Sequence, residues 1–205
     1  MRRAVLFGGG GFAIELADLL RSCDWDIIGC VAPASCANAL PAPWLGALDG
    51  GAALPEDGEL FFAVGDPDLR RQVAAAISVT GRQWTSFVHP TAWLAPSVVL
   101  GNGCIVYPHS TLHARVRLGD CVLVNSNVTI GHETVIGGFA SINPGAAIAG
   151  KVSVGAGASI GIGASVRERV VIADGVVVGA GAAVVGDLTE AGTYGGVPAR
   201  RLRSP

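Results

Sequence analysis

An aliphatic residue recurs at every sixth position from Leu94 to Val184. The series passes through Val106, Leu112, Val124, Ile130, Ile142 and Ile160 without insertion or deletion. A period of six fits neither a helix face, which repeats about every 3.6 residues, nor a simple strand, which repeats every two. It is the hexapeptide pattern of a parallel β-helix, in which each hexad supplies one short strand and one turn. Three hexads make a triangular coil of about 18 residues, and each aliphatic residue stacks on its equivalent one coil away. A sandwich or barrel of short even strands would need turns of varying length, and here the length never varies. Two positions before the next aliphatic residue stands a small or β-branched one, as at Cys104, Ser110, Thr134, Ala140, Ala146 and Ala158. These fit beside the large residue in a narrow prism. Gly or Asn often follows the aliphatic position, as at Gly101, Gly119, Asn125, Gly131 and Gly137. They are expected to supply the turn conformations that other residues resist.

Residues 1–87 lack the hexad and read as a separate domain, with the β-helix and a C-terminal tail over residues 88–205. Arg3–Phe7 is a short apolar run followed at once by Gly8-Gly9-Gly10-Gly11, and Ile14, Leu16, Ala17, Leu19 and Leu20 then suggest a helix. Strand, glycine turn and helix open a nucleotide-binding βαβ unit. Asp26–Val31 is the expected second strand and Leu60–Val64 another. Gly65 and Asp66 follow, with Asp66 as helix cap, Pro67 at the first helical position and the helix running to about Ile77. The helix end after Gly8, Gly10 and Gly11 is suited to holding a phosphate on backbone N–H groups. Glycines there can also serve only to let helix and strand pack closely. The acid that grips a ribose hydroxyl in dinucleotide folds is missing, since the second strand runs into Val31-Ala32-Pro33. This argues against a nicotinamide dehydrogenase.

A net charge of −2 gives no basic footprint for nucleic acid or an anionic membrane. Mean hydropathy is high at +0.51, but Ala, Val and Gly carry much of it, and polar residues interrupt every apolar stretch. No membrane insertion is expected. The segment Met1–Glu15 reads as a first strand and not as a signal peptide. The five cysteines are odd in number and form no CxxC pair. They read as small core residues of a cytoplasmic protein.

The four histidines are His89, His109, His113 and His132. His132 occupies a corner of the repeat, and 18 residues on, the coil returns to the same edge at Gly150. The two are therefore expected to stack about 4.8 Å apart. A glycine there lets a ligand approach, and its N–H can hold an oxyanion. Glu133 is positioned to orient the ring or raise its basicity, and Asn125 lies on the preceding corner. Base, acid partner and oxyanion donor along one edge suit acyl transfer. His89 and His113 read as solvated turn residues.

Four further segments share one pattern: Phe61–Arg71 (FFAVGDPDLRR), Phe87–Ala92 (FVHPTA), Gly131–Gly137 (GHETVIG) and Tyr194–Arg200 (YGGVPAR). With the glycine-rich opening, they resemble the family of NeuD-like sialic-acid O-acetyltransferases and PglD-like bacillosamine-type acetyltransferases, over nearly the whole chain. The resemblance implies a Rossmann-like α/β domain followed by a left-handed parallel β-helix, assembled as a homotrimer. It implies acetyl-CoA as cosubstrate, no metal, and a nucleotide-linked amino sugar as acceptor. On that reading His132 is the general base, Glu133 its partner, Asn125 a nearby polar residue and Gly150 the backbone donor to the thioester oxygen. Ser141 stands where some members place a second histidine near CoA, and Arg200 is suited to a CoA phosphate. Gly8, Gly10, Gly11, Phe12, Gly65 and Asp66 would line the nucleotide-sugar site. The chain departs from the family at Phe12, usually His, and at Ala32 and Pro33, usually acidic.

N-acetylation of an amino sugar is the expected reaction, with sugar O-acetylation as the alternative. Two other classes stay open. One is a metal-dependent hydrolyase like the γ-class carbonic anhydrases, with His109, His113 and His132 as ligands. The other is a non-catalytic trimer that binds nucleotide-sugar.

Overall fold

The computed structural model describes residues 1–48, 52–78 and 80–202. The chain forms two compact units, Met1–Thr85 and Ser86–Pro205. Phe87–Val88 is already a strand of the second unit, pairing with Ile105–Val106.

The first unit is a parallel three-stranded sheet with β1 (Arg2–Phe7) at its centre, flanked by β2 (Trp25–Val31) and β3 (Glu59–Phe62). Single bridges, Cys30 to Trp44 and Leu60 to Trp84, extend the two edges. Ala4–Phe7 are buried, as a central strand covered on both faces requires. Helix α1 (Gly11–Arg21) lays Ala13, Leu16, Ala17 and Leu20 into the core at helical spacing. Helix α2 (Pro67–Ser78) starts where expected: Asp66 caps it, with Oδ1 accepting from Leu69 N–H at 2.8 Å. An aromatic cluster lies beside β3, where Trp84 stacks on Phe62 at 3.5 Å between centroids and meets Phe7 edge-on at 4.9 Å.

The second unit is a parallel β-helix with three faces. Strands such as Leu123–Val124 and Ser141–Ile142 form face 1, Thr129–Ile130 and Ala147–Ile148 face 2, and Val135–Ile136 and Ser153–Val154 face 3. Pairing along the hexads is to the residue 18 positions away, as in Ile130 with Ile148 and Ile136 with Val154. From Val106 to Val184 all the hexad aliphatics are buried, while Leu94 and Leu100 in the first coil are half-buried. The small positions are buried too, and their polar atoms are satisfied. Thr134 Oγ1 donates to Ala149 O at 3.0 Å and accepts from Val152 N–H at 3.2 Å, while Ser110 does the same with Asn125 O and Val128 N–H. At the far end Thr193–Gly195 continues face 1. Arg200–Arg201 folds back antiparallel onto it, and Tyr194 and Ala199 close the core.

The turns correct one expectation. The residue with positive φ is not the glycine after the aliphatic position but the one two places further on. Between residues 103 and 181 it recurs every six residues, and His109, Arg115, Cys121, Asn127, Glu133, Phe139, Lys151 and Arg169 all adopt φ near 60°. The glycines that follow the aliphatics serve close approach. A Cβ on Gly131 would lie 2.5 Å from Gly150 N, so a side chain there would force the coils apart.

Candidate active site

Each unit holds one candidate site. In the β-helix, the corner between faces 2 and 3 carries His132 on one coil and Gly150 on the next. Lys151 N–H donates to His132 O at 2.8 Å, which locks the two turns in register. The imidazole lies flat against the glycine, and a Cβ on Gly150 would be 2.6 Å from His132 Nε2. His132 is exposed, and among the described residues neither ring nitrogen has a hydrogen-bond partner. The Gly150 N–H likewise meets no acceptor among them. On other corners the equivalent N–H is taken by a side chain: Asn102 by Asp120, Ala156 by Asp174 and Ser126 by Asn125. An imidazole and an unclaimed backbone donor thus sit side by side on one exposed corner, a pairing that suits a reaction that removes a proton and stabilises an oxyanion.

Glu133 departs from its expected role. Its carboxylate turns away from the imidazole to Lys151 Nζ at 3.3 Å and Arg115 at 3.7 Å, cations one coil on either side. The turn explains this: with φ at 59°, Glu133 belongs to the column of residues 115, 133 and 151, one place along from the His132–Gly150 column. Asn125 is on the corner between faces 1 and 2, across the strand Thr129–Ile130 from His132, and its Oδ1 accepts from Ser126 N–H at 2.8 Å. Ser141 is buried on face 1, the side of the prism opposite the His132 corner. Arg200 is exposed on the returning C-terminal strand, with Nη1 on Ala199 O at 2.8 Å. One chain therefore brings His132 and Gly150 together and leaves Asn125, Ser141 and Arg200 elsewhere on the prism. The histidine triad considered from sequence is also split, because His109 lies on the corner between faces 1 and 2 while His113 and His132 lie on the next. Among the described residues, no three metal-ligating side chains come together.

The first unit holds an open cleft of about 560 Å³ at the carboxyl ends of the strands. All six residues expected there line it: Gly8, Gly10, Gly11, Phe12, Gly65 and Asp66. The four glycines divide by purpose. Gly8 has φ of 150° and a Cβ there would strike Ala63 O at 2.1 Å, while one on Gly9 would strike the Cys36 and Ala32 side chains. Gly10 and Gly11 face open space, where a Cβ would meet nothing within 4 Å. Packing therefore accounts for the first two glycines and not for the second two, which leave bare backbone at the start of α1.

Sequence reasoning passes over Arg70. Its guanidinium is buried and donates from Nη1 to Val64 O and Gly65 O, both at 2.9 Å, fixing the loop on one side of the cavity. The signal is its spacing, since Arg70 lies three and seven residues before the buried Val73 and Ile77 of α2.

Glycine-opened α/β unit and hexapeptide β-helix together define a sugar-acyltransferase architecture. Residues 3–77 match the PglD N-terminal domain model. PerB from Caulobacter crescentus, solved with CoA and GDP-perosamine, is 32% identical with a TM-score of 0.88, over 98% of this chain and 97% of that one. The acetyltransferase domain of PglB from Neisseria gonorrhoeae is 29% identical with a TM-score of 0.91, over 98% of this chain and all of that one, and it has also been solved with acetyl coenzyme A. No curated protein sequence matches. The chain belongs to the PglD-like family of hexapeptide-repeat acetyltransferases, and its solenoid is a left-handed β-helix.

Proposed function

We propose that the protein transfers an acetyl group from acetyl-CoA to the amino group of a nucleotide-linked amino sugar. The single observation that carries the chemistry is the His132 imidazole lying against Gly150 with an unclaimed N–H beside it. The membership of the family and its relatives' CoA and GDP-perosamine complexes support the substrates.

In this reaction His132 accepts a proton from the amine as its nitrogen attacks the thioester carbonyl. The carbonyl oxygen becomes an oxyanion on the Gly150 N–H. The tetrahedral carbon then expels CoA as a thiolate, which takes the proton back from the imidazolium. A general base contributes roughly 10²–10⁴-fold to such a step. Glu133 acts through the turn: its ion pair with Lys151 ties the Gly150 coil to the His132 coil. The protein works as a homotrimer, which supplies from neighbouring subunits the polar groups that one His132 corner lacks. The cavity of the first unit holds the nucleotide.

The test is acetyl transfer to UDP-, GDP- and dTDP-linked amino sugars, followed by mass spectrometry and free-thiol release. His132→Ala is expected to lower kcat by about 10²–10⁴-fold while sedimentation still gives a trimer and circular dichroism is unchanged. Wild-type rates in that variant would remove the assignment.

A further inference from the structure

The first coil of the solenoid, with strands Phe87–Val88, Trp93–Leu94 and Val99–Leu100, is tied to the second differently from the coils that follow. In later turns an N–H donates to a backbone carbonyl one coil back, as Asn127 does to Pro108 O at 3.2 Å, Glu133 to Ala114 O at 2.8 Å and Lys151 to His132 O at 2.8 Å. At the first coil, side-chain hydroxyls take that place. Ser97 Oγ accepts from Arg115 N–H at 2.9 Å, and Thr91 Oγ1 accepts from His109 N–H at 3.2 Å. The core is less closed here as well, since Leu94 and Leu100 are only half-buried.

The Thr91 hydroxyl is itself held by a titratable group. His89, expected to be a solvated turn residue, is half-buried, and its Nδ1 accepts from Thr91 N–H at 3.2 Å. Thr91 Oγ1 lies 2.9 Å from the same nitrogen. A ring nitrogen that accepts from an amide carries no proton, so the hydrogen bonds assign the Nε2–H tautomer and make the Thr91 hydroxyl a second donor to Nδ1. The bonds run in one direction, from His109 N–H through the Thr91 hydroxyl to the imidazole. Two coils on, in the same column, Asn125 does the like with an amide oxygen, its Oδ1 accepting from Ser126 N–H at 2.8 Å.

We propose that His89 is an acid-sensitive latch on the first coil: neutral, it locks the turn from His89 to Ala92 against the second coil, and protonated, it lets that turn open. A proton on Nδ1 points at the Thr91 N–H, which sets donor against donor and leaves that amide without its acceptor. Burial lowers the His89 pKa from the ordinary 6.5, and the charge of His109 on the next coil lowers it further. The ring also meets Phe87 edge-on at 6.3 Å between centroids, and among the described residues no carboxylate bears on it. The folded pKa lies below the unfolded one. The latch is therefore fully closed above pH 6.5 and is lost as the pH falls through the lowered value. It stands on the corner between faces 1 and 2, away from the His132 corner, and is independent of the reaction assigned there.

The experiment is hydrogen exchange of the intact protein, read by mass spectrometry at about pH 7.5 and about pH 5, with protection corrected for the intrinsic pH dependence of exchange. Peptides covering residues 89–95 are expected to lose about tenfold in protection at the lower pH, the scale of one hydrogen bond, while peptides around Val171–Ile172 hold theirs. His89→Asn places an oxygen that does not titrate near the Nδ1 position, and is expected to keep its protection at both pH values. His89→Ala is expected to show the low protection already at the higher pH. Equal protection of the wild type at both values overturns the proposal. So does a loss in His89→Asn as large as in the wild type, which assigns the acid response to another group. Should His89→Ala fail to fold, the wild type and His89→Asn decide between them.

Discussion

Single positions in this protein are decided by what would collide with them. Gly150 is the sharpest case, because a methyl group there would lie 2.6 Å from Nε2 of His132. The flexible ring can yield, so the fold survives but the base leaves its place. Gly150→Ala is expected to keep its melting temperature within a few degrees and to lose about a hundredfold in kcat, the scale of one oxyanion or base contribution. Steady-state kinetics alongside a thermal melt separates the two effects, and full activity in the alanine variant would count against the corner as the site of chemistry. The pairing of His132 with Gly150 is legible in the sequence because it follows from counting 18 residues. The direction taken by Glu133 is not, although the same count finds Arg115 and Lys151 on either side of it. Arg70 is hidden by its chemistry, since an arginine in a helix reads as a surface residue until its alignment with Val73 and Ile77 is noticed.

At the level of the coil, neighbouring turns are held by buried hydroxyls as well as by strand pairing. Thr134 bridges the His132 turn to the Gly150 turn through Ala149 O and Val152 N–H. Thr134→Val keeps the shape and removes both bonds, leaving a buried donor and acceptor unmet at a cost of about 1–3 kcal/mol. Urea unfolding should show a lower midpoint with an unchanged slope, because the surface exposed on unfolding stays the same. An unaltered midpoint would mean that strand pairing alone registers the coils. The strands and their spacing are readable because no turn breaks the period of six. The left-handed turn position is harder to see, since glycine fills only six of its fourteen places between residues 103 and 181 and residues as different as Phe139 and Lys151 share the rest.

Across the molecule, five free thiols sort by burial. Cys23 and Cys36 are partly exposed, whereas Cys30, Cys104 and Cys121 are buried. Burial raises the Cys30 pKa and pushes that of Cys104 from the ordinary 9.0 up to about 11. A maleimide at pH 8 should therefore modify Cys23 and Cys36 in the native protein and reach the other three only after denaturation, which peptide mass mapping reads directly. The sign for stability follows. The fold holds Cys104 protonated, so its contribution is complete below pH 9 and is lost as pH rises toward 11, where the unfolded chain gains from ionising it. Cys104→Ala should flatten that alkaline loss, and an equally steep decline in the variant would assign it to other groups. Two separate units are visible from sequence because one keeps the hexad and the other never enters it. The backbone notch at φ near 60° makes the edges of the second unit a writable surface. His, Arg, Asn, Glu, Phe and Lys all occupy it without altering the stacked aliphatics behind them. The solenoid thus separates what it is from what it does, and its edges can acquire new chemistry one coil at a time while the core stays as it was.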